Sequence, residues 1–308
     1  MSSIRIATRG SDLALAQARF VAGLIQKELG SETELLIIKT TGDAIQDIPL
    51  AEIGGKGLFV KEIEEALLDG RADVAVHSAK DLPAELASGL TLAAFPERVD
   101  PRDALVSRDR SLTLETLPKS ARVGTGSTRR SALLLAFRPD LEIVPLRGNV
   151  PTRIGKLESD NLDAVILACA GLERLGLQDQ ICERISDEIM LPAVCQGTLA
   201  LETRKDDSLA REIARLDDPA VAVAVAGERG FLRQIEGDCT VPMAVHLTHR
   251  SDDRVWLRGL VASLDGQQVV RAEEEVASSE AAAAGRRIAE VILDRGGAEI
   301  LRELQSDR

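Results

Sequence analysis

Residues 121–130 read ARVGTGSTRR, an apolar strand-like run that ends in a glycine-containing turn and two arginines. Residues 4–11 (IRIATRGS) and 141–149 (LEIVPLRGN) repeat this order of strand, turn and arginine. A helix-like run begins just after each turn, and repeated strand-to-helix units are typical of α/β proteins. Ligands of open α/β sheets bind beyond the carboxyl ends of the strands, so we expect these three turns at such an edge.

The first turn of a helix is an unfavourable place for arginine. The helix dipole and the unbonded N–H groups are positive there, so Arg129 and Arg130 cost stability unless a negative group lies opposite. For each arginine two interpretations stay open: it pairs with a nearby Asp or Glu of the protein, or it binds an anionic ligand. For the three turns together, we favour a pocket for a ligand with several negative groups.

Composition limits the possible functions. The chain has 308 residues, enough for two or three domains, and its 38 basic and 50 acidic residues give a net charge of −12. Such a balance argues against a nucleic-acid binder, and one tryptophan with no tyrosine leaves few platforms for base stacking. Three histidines and no C-x-x-C pair argue against a metal site. No apolar run approaches the ~20 residues of a membrane helix, and the N-terminus lacks a signal-peptide pattern, so we expect a cytoplasmic protein.

Two turn-rich breaks divide the chain, at residues 96–103 and around residues 191–197. They flank one α/β block, which indicates that the chain leaves a first domain, builds a second and returns. Domain 1 is predicted over residues 1–98 and 198–216, and domain 2 over residues 103–192. A double crossing of this kind makes a hinge, with the ligand expected between the lobes.

The pattern of predicted helices and strands changes after residue 216. Residues 219–235 are predicted to form one long helix, and three strand-like runs then follow one another, at 241–247, 254–262 and 267–276. Sequential strands imply an antiparallel sheet, so domain 3, over residues 219–308, is predicted to be a small α+β domain.

Two further segments carry candidate chemistry. Residues 76–83 (VHSAKDLP) leave a strand into a turn with Lys80 and Asp81. Asp81 either forms an ion pair or faces the reacting centre, where it could stabilise a developing cation or donate a proton. Cys239 lies on a loop and not in an apolar strand, but its acidic neighbours Glu236 and Asp238 should raise the thiol pKa. The pattern alone favours an inert over a reactive cysteine.

Several long motifs, in order along nearly the whole chain, resemble the porphobilinogen deaminase (hydroxymethylbilane synthase) family. They are RIATR at 5–9, GGKGLFVKE at 54–62, VHSAKDLP at 76–83, DPRDA at 100–104, LRGNV at 146–150, LPAV at 191–194 and EGDCTVP at 236–242.

The resemblance implies three domains, the first two like the lobes of periplasmic binding proteins, and a dipyrromethane cofactor joined by a thioether to Cys239. It implies a monomeric enzyme of tetrapyrrole (haem-type) biosynthesis that condenses four porphobilinogen molecules with loss of ammonia and releases hydroxymethylbilane by hydrolysis. The family's catalytic aspartate falls on Asp81. Its cofactor-binding residues fall on Ser11, Ser78, Lys80, Thr125, Ser127, Arg129, Arg130 and Arg147, and its substrate-binding residues on Arg9, Arg153 and Arg174.

The chain departs from the family pattern at several positions. The family usually has serine at Gly126, leucine at Thr128, proline at Asp12, and glycine at Asp238 and Cys195. Gly126 is expected to remove one hydrogen bond to the cofactor, and Asp238 to add charge beside the attachment site.

Two further expectations concern the loop at residues 43–57 and an alternative function. Residues 43–57 are long, glycine-bearing and aperiodic, which predicts a lid over the ligand. The alternative function is a non-enzymatic polycarboxylate-binding protein with the same two lobes, which would explain the arginines and the hinge but not a third domain with a loop cysteine.

Overall fold

The computed structural model describes residues 3–40, 60–235, 241–251 and 253–306. Two compact units make up the chain. Unit 1 comprises Met1–Val99 and Gly197–Ala222, and unit 2 comprises Asp100–Gln196 and Val223–Arg308.

Strands and helices are interspersed in the described part of the first two thirds of the chain. The strands are β1 (Ile4–Thr8), β2 (Thr33–Ile37), β3 (Val74–Ser78), β4 (Leu90–Ala94), β5 (Asp103–Ser107), β6 (Arg122–Thr125), β7 (Glu142–Pro145), β8 (Ala164–Ala168), β9 (Glu183–Arg184), β10 (Leu199–Arg204), β11 (Met243–His249), β12 (Arg254–Ala262) and β13 (Val269–Ala277). The α-helices of the described residues are α1 (Asp12–Leu29), α2 (Lys61–Leu68), α3 (Thr128–Phe137), α4 (Val150–Ser159), α5 (Cys169–Arg174), α6 (Ser208–Ile213), α7 (Pro219–Ile235), α8 (Ala281–Ile292) and α9 (Ala298–Ser306).

Unit 1 is built on a five-stranded sheet of order β2-β1-β3-β10-β4. Strand β1 is parallel to β2 and β3, whereas β10 is antiparallel to β3 and β4. Apolar residues of β1, β3 and β10 pack against Ala18, Val21 and Ile25 of α1. The sheet therefore receives its antiparallel strand from the segment that returns to unit 1.

Unit 2 contains a second five-stranded sheet with the same plan, in the order β7-β6-β8-β5-β9. Its antiparallel strand is β5, which directly follows the first passage of the chain into unit 2. Strand β5 begins at Asp103, the last residue of the turn-rich break at 96–103. Each of the two crossings of the chain is thus followed by the antiparallel strand of a sheet, β5 in unit 2 and β10 in unit 1.

The last third of the chain forms a three-stranded antiparallel sheet, β11-β12-β13, as predicted. Ala244 and Leu260 of this sheet belong to the same apolar cluster as Leu133 of α3 and Leu191. The C-terminal sheet and the second five-stranded sheet therefore share a core within unit 2. The α/β class with a small antiparallel domain is confirmed, whereas the exact limits of domains 1, 2 and 3 stay a prediction.

Local signals in the sequence set the ends of α1 but not the burial of β2. Ser11 caps α1 by accepting from the Ala14 amide at 3.3 Å, and Gly30 ends the helix with a φ of 68°. The apolar run at residues 34–39 predicts a buried strand. Strand β2 is instead an edge strand of the sheet, on which Leu35 and Leu36 are half-buried on opposite faces and Ile37 is 55% exposed.

The β12–β13 turn meets helix α3 closely enough to give a first prediction. Gly266 has a φ of 71°, and a Cβ there would lie 2.4 Å from the Ala132 carbonyl oxygen. Gly176 has a φ of 68° with nothing within 4 Å of such a Cβ. Gly176→Ala should lower the free energy of unfolding by about 1 kcal/mol through backbone strain alone. Gly266→Ala should lower it by about 1–3 kcal/mol more through the clash, as denaturant titration would measure. Equal losses in the two variants would refute this packing.

Candidate active site

In unit 1, the ends of two neighbouring parallel strands place several predicted site residues at one sheet edge. Ser78 ends β3, and its Oγ accepts a hydrogen bond from Nε2 of the buried Gln17 on α1 at 2.8 Å. Ser11 at the start of α1 and the half-buried Arg9 follow β1 at the same edge. Gln17 therefore ties the end of β3 to the helix that follows β1.

Lys80 and Asp81 lie in the 3₁₀ turn that follows β3. The turn spans Ala79–Asp81 and is anchored where the Ala79 amide donates to the Thr198 carbonyl at 3.0 Å. Lys80 is half-buried and Asp81 is exposed. Among the described residues, the Asp81 carboxylate has no hydrogen-bond or ion-pair partner. This observation argues against the interpretation that Asp81 only pairs with Lys80 or an arginine.

In unit 2, the negative group expected opposite Arg129 and Arg130 is Asp103 of β5. Arg129 Nη1 donates to Asp103 Oδ2 at 2.7 Å, and Arg130 donates to Oδ1 from Nε at 3.0 Å and from Nη2 at 2.7 Å. Gln196 Nε2 adds a further hydrogen bond to Oδ1 at 3.0 Å. All three charged side chains are buried, with Asp103 0% exposed and the two arginines 4% and 5%. The protein therefore supplies a counter-ion itself.

Asp103 remains ionised in this cluster. Burial alone would raise the pKa of its carboxyl group, but the two guanidinium groups outweigh burial and hold the pKa well below its usual range. One carboxylate neutralises only one of the two cations, so a net positive charge remains. Arg129 also donates to the Leu191 carbonyl at 2.8 Å, and its buried Nε has no hydrogen-bond partner among the described residues.

Hydroxyl groups surround the start of α3. Ser127 is the N-cap, and its Oγ accepts from the Arg130 amide at 3.5 Å. Thr125 ends β6, is buried, and accepts from the Ser127 amide at 3.3 Å. The structure thus places Thr125 and Ser127 beside the arginine pair.

The remaining predicted arginines of unit 2 lie after β7 and β8. Arg147 is half-buried in the loop before α4, and burial lowers the pKa of its guanidinium. Arg153 lies in the first turns of α4, where its Nε donates to the Gly148 carbonyl at 2.7 Å. Arg174 is the last residue of α5 and is half-buried. Since β6, β7 and β8 are parallel neighbours, the loops that carry Arg147 and the start of α3 share one sheet edge.

Two departures from the family pattern have structural consequences. A Cβ on Gly126 would lie 2.4 Å from the Leu146 carbonyl oxygen, so the usual serine would not fit here unless the Leu146–Arg147 backbone moved. Cys195 has a φ of 55°, in the left-handed region that favours glycine. The expectation that Gly126 removes a cofactor hydrogen bond stays a prediction.

Two predictions fall outside the described residues, namely the attachment site Cys239 and the lid at 43–57.

The other cysteines form no disulfide among the described residues, and burial raises the pKa of the Cys169 thiol to about 12. No cluster of His, Cys, Asp or Glu suited to a metal ion occurs in the described ranges, and no helix there could span a membrane. A cleft of about 670 Å³ lies at the C-terminal sheet, lined in part by Arg258, and contains none of the predicted site residues.

Sequence reasoning missed Asp103 and Gln196. A signal for Asp103 was present, because an aspartate that opens the otherwise apolar run DALVS is typical of a buried charge with a fixed partner. Gln196 gave no signal, since its contacts depend on how the two crossing segments meet. Its Nε2 also donates to the Pro101 carbonyl at 2.7 Å.

Together these features define an α/β protein whose strand edges carry cations, hydroxyl groups and one exposed carboxylate. Family comparison identifies it further. The model for "Porphobilinogen deaminase, dipyromethane cofactor binding domain" matches residues 4–212, and that for "Porphobilinogen deaminase, C-terminal domain" matches residues 222–294. The chain belongs to the porphobilinogen deaminase family, whose members are transferases of tetrapyrrole biosynthesis with a dipyrromethane cofactor.

Full-length relatives agree with this assignment. A porphobilinogen deaminase from Nitratidesulfovibrio vulgaris is 50% identical, over 99% of this chain and 97% of the relative. One from Syntrophomonas wolfei is 47% identical, over 98% of this chain and 99% of the relative. Among solved structures, a periplasmic substrate-binding protein of an ABC transporter from Coxiella burnetii is 14% identical, with a TM-score of 0.43 over 73% of this chain and 96% of its own.

The Asp103 cluster yields a second prediction. Asp103→Asn should lower the free energy of unfolding at pH 7 by about 3–5 kcal/mol, because it leaves two buried guanidinium groups without their counter-ion. The matched variant Asp140→Asn, which breaks the more exposed pair with Arg138, should cost much less. Denaturant titrations of both variants would test this, and similar losses would contradict it.

The same comparison has a defined pH dependence. The folded-state pKa of Asp103 is depressed, so its contribution is fully present above the ordinary aspartate pKa of about 4 and is lost as the pH falls towards the folded-state value. The gap between wild type and Asp103→Asn should therefore be constant above about pH 4 and shrink below it.

Proposed function

We propose that this chain is a hydroxymethylbilane synthase. It condenses four porphobilinogen molecules head to tail, releasing ammonia each time, onto a covalently held dipyrromethane, and frees hydroxymethylbilane by hydrolysis. The observation that carries the proposal is the exposed Asp81 carboxylate, which has no ion-pair partner among the described residues. Within that part of the chain this carboxylate is unpaired although several arginines follow the strands of both five-stranded sheets.

The residues present fit a dipyrromethane. Each pyrrole carries an acetate and a propionate, and guanidinium groups bind carboxylates through paired, charge-assisted hydrogen bonds. Arg129 keeps a buried Nε without a hydrogen-bond partner among the described residues, and the cluster with Asp103 retains one excess positive charge. The residues proposed to hold the cofactor are Ser11, Ser78, Lys80, Thr125, Ser127, Arg129, Arg130 and Arg147, with Cys239 as the attachment point.

The cofactor would supply the pyrrole onto which the chain grows. Arg9, Arg153 and Arg174 are proposed to bind the carboxylates of incoming substrate. Loss of ammonia from the protonated aminomethyl group of porphobilinogen leaves a cation, and Asp81 is proposed to stabilise that cation through its carboxylate. Cys239 needs no lowered pKa, because it makes one lasting bond and does not turn over.

The alternative, a non-enzymatic polycarboxylate binder, is not favoured. It gives no reason for a C-terminal domain of the porphobilinogen deaminase type over residues 222–294. A monomeric state and a cytoplasmic location stay predictions from the sequence.

Cofactor attachment gives a third prediction. The intact mass of the purified protein should exceed its sequence mass by one dipyrromethane, located on the peptide that contains Cys239. Cys239→Ser should fold but lack the adduct and turnover. Cys182→Ser should keep both, because the hydrogen bonds of the Cys182 thiol go to the backbone of Ser107 and Gln180 and to no predicted site residue. An adduct on any other cysteine, or none in the wild type, would refute the assignment.

The role of Asp81 gives a fourth prediction. Asp81→Asn keeps the shape of the side chain but removes its charge, so kcat should fall by about 10²–10³-fold. The melting temperature should stay close to wild type, since no ion pair of the described residues is broken. Glu65→Gln removes an exposed negative charge from α2 and serves as the control with normal turnover. A near-normal kcat of Asp81→Asn, or a large drop in its melting temperature, would contradict the catalytic assignment.

A further inference from the structure

One arginine of the C-terminal sheet reaches the neighbouring part of unit 2. The Arg258 side chain on β12 is only 10% exposed, and its Nη1 donates to Glu188 Oε1 at 2.6 Å while its Nη2 donates to Asp187. Its guanidinium carbon also lies 4.2 Å from the ring centre of Trp256. Two carboxylates and an aromatic face hold this cation in one orientation.

The two carboxylates belong to a compact turn. The amides of Ile189 and Met190 both donate to the Ser186 carbonyl, at 3.0 Å and 2.9 Å. Met190 and Leu191 are buried in the core that α3 and the C-terminal sheet share. The turn 186–191 is therefore held by internal hydrogen bonds and by packing. A change in the position of its carboxylates would consequently shift the Leu191 backbone.

Leu191 links this turn to the arginine cluster. Its carbonyl accepts the hydrogen bond from Arg129 Nη1 at 2.8 Å, beside the bond from the same nitrogen to Asp103. These two acceptors fix the plane of the Arg129 guanidinium and hence the direction of its remaining N–H groups.

We infer that Arg258 is a positioning residue for Arg129. Its ion pairs with Asp187 and Glu188 fix the turn 186–191, and the Leu191 carbonyl of that turn orients the Arg129 guanidinium. The inference rests on the proposed function, because Arg129 matters to catalysis only if it holds the cofactor. It assigns the C-terminal sheet a second task beyond carrying the attachment loop. The C-terminal sheet thereby sets the geometry of a guanidinium on α3, the helix that follows β6 of the neighbouring five-stranded sheet.

A purely structural role for Arg258 predicts something different. If the arginine only joins two packed surfaces, its loss should lower stability without a specific effect near Arg129. Arg254 is a suitable control, because it lies four residues away on the same strand and pairs with Glu275 within the C-terminal sheet.

The test compares Arg258→Met with Arg254→Met in the full-length holoprotein. Methionine keeps the apolar stem, so Arg258→Met should fold. Amide hydrogen exchange in residues 186–191 and in the first turn of α3 should become about tenfold faster in Arg258→Met, as expected for the loss of charged hydrogen bonds, and should not change in Arg254→Met. The fraction of molecules with the dipyrromethane mass should fall severalfold in Arg258→Met only.

Asp187→Asn provides a second variant with the same expected direction, should Arg258→Met fail to fold. Unchanged exchange in residues 128–131 and unchanged cofactor occupancy in whichever of these variants folds would overturn the inference. Failure of the proposed function would look different, because wild type itself would then carry no adduct while the exchange difference between Arg258→Met and Arg254→Met persisted.

Discussion

The buried ion cluster around Asp103 is the interaction on which most of unit 2 depends. Its carboxylate lies on β5, the strand that follows the first passage of the chain into this unit, and it receives bonds from Arg129, Arg130 and Gln196. The first strand, the start of α3 and the second crossing segment are therefore joined at one group. Losing one partner of such a cluster is costly, because a buried charge without a counter-ion is strongly destabilising.

The same cluster explains how arginines can stand in the first turn of a helix. The positive helix end and two guanidinium groups would repel one another without a nearby anion. Asp103 offsets one charge and leaves the other, so the site is stable without ligand yet retains an attraction for carboxylates. In this way, one arrangement meets the needs of the fold and of the proposed polyanionic ligand.

The C-terminal sheet contacts the surroundings of the arginine pair at three places. Leu260 and Ala244 enter the core beneath α3, Gly266 abuts the helix backbone, and Arg258 holds the turn that bonds to Arg129. Each contact acts on the surroundings of the arginine pair. The C-terminal sheet and the cation cluster are thus connected by packing and hydrogen bonds within unit 2.

The sequence by itself determined the α/β class, the two breaks, the antiparallel C-terminal sheet and the ends of α1, because these follow from periodicity and from capping residues that act within a few positions. Family motifs in the sequence also singled out Asp81 and Cys239 as candidates. Only the tertiary structure decided that Asp103 is the partner of Arg129 and Arg130, that β5 and β10 are the antiparallel strands, and that Gly126 has no room for a side chain. These facts depend on contacts between residues far apart in the chain, for which local sequence carries no register, so the folded backbone had to bring them together.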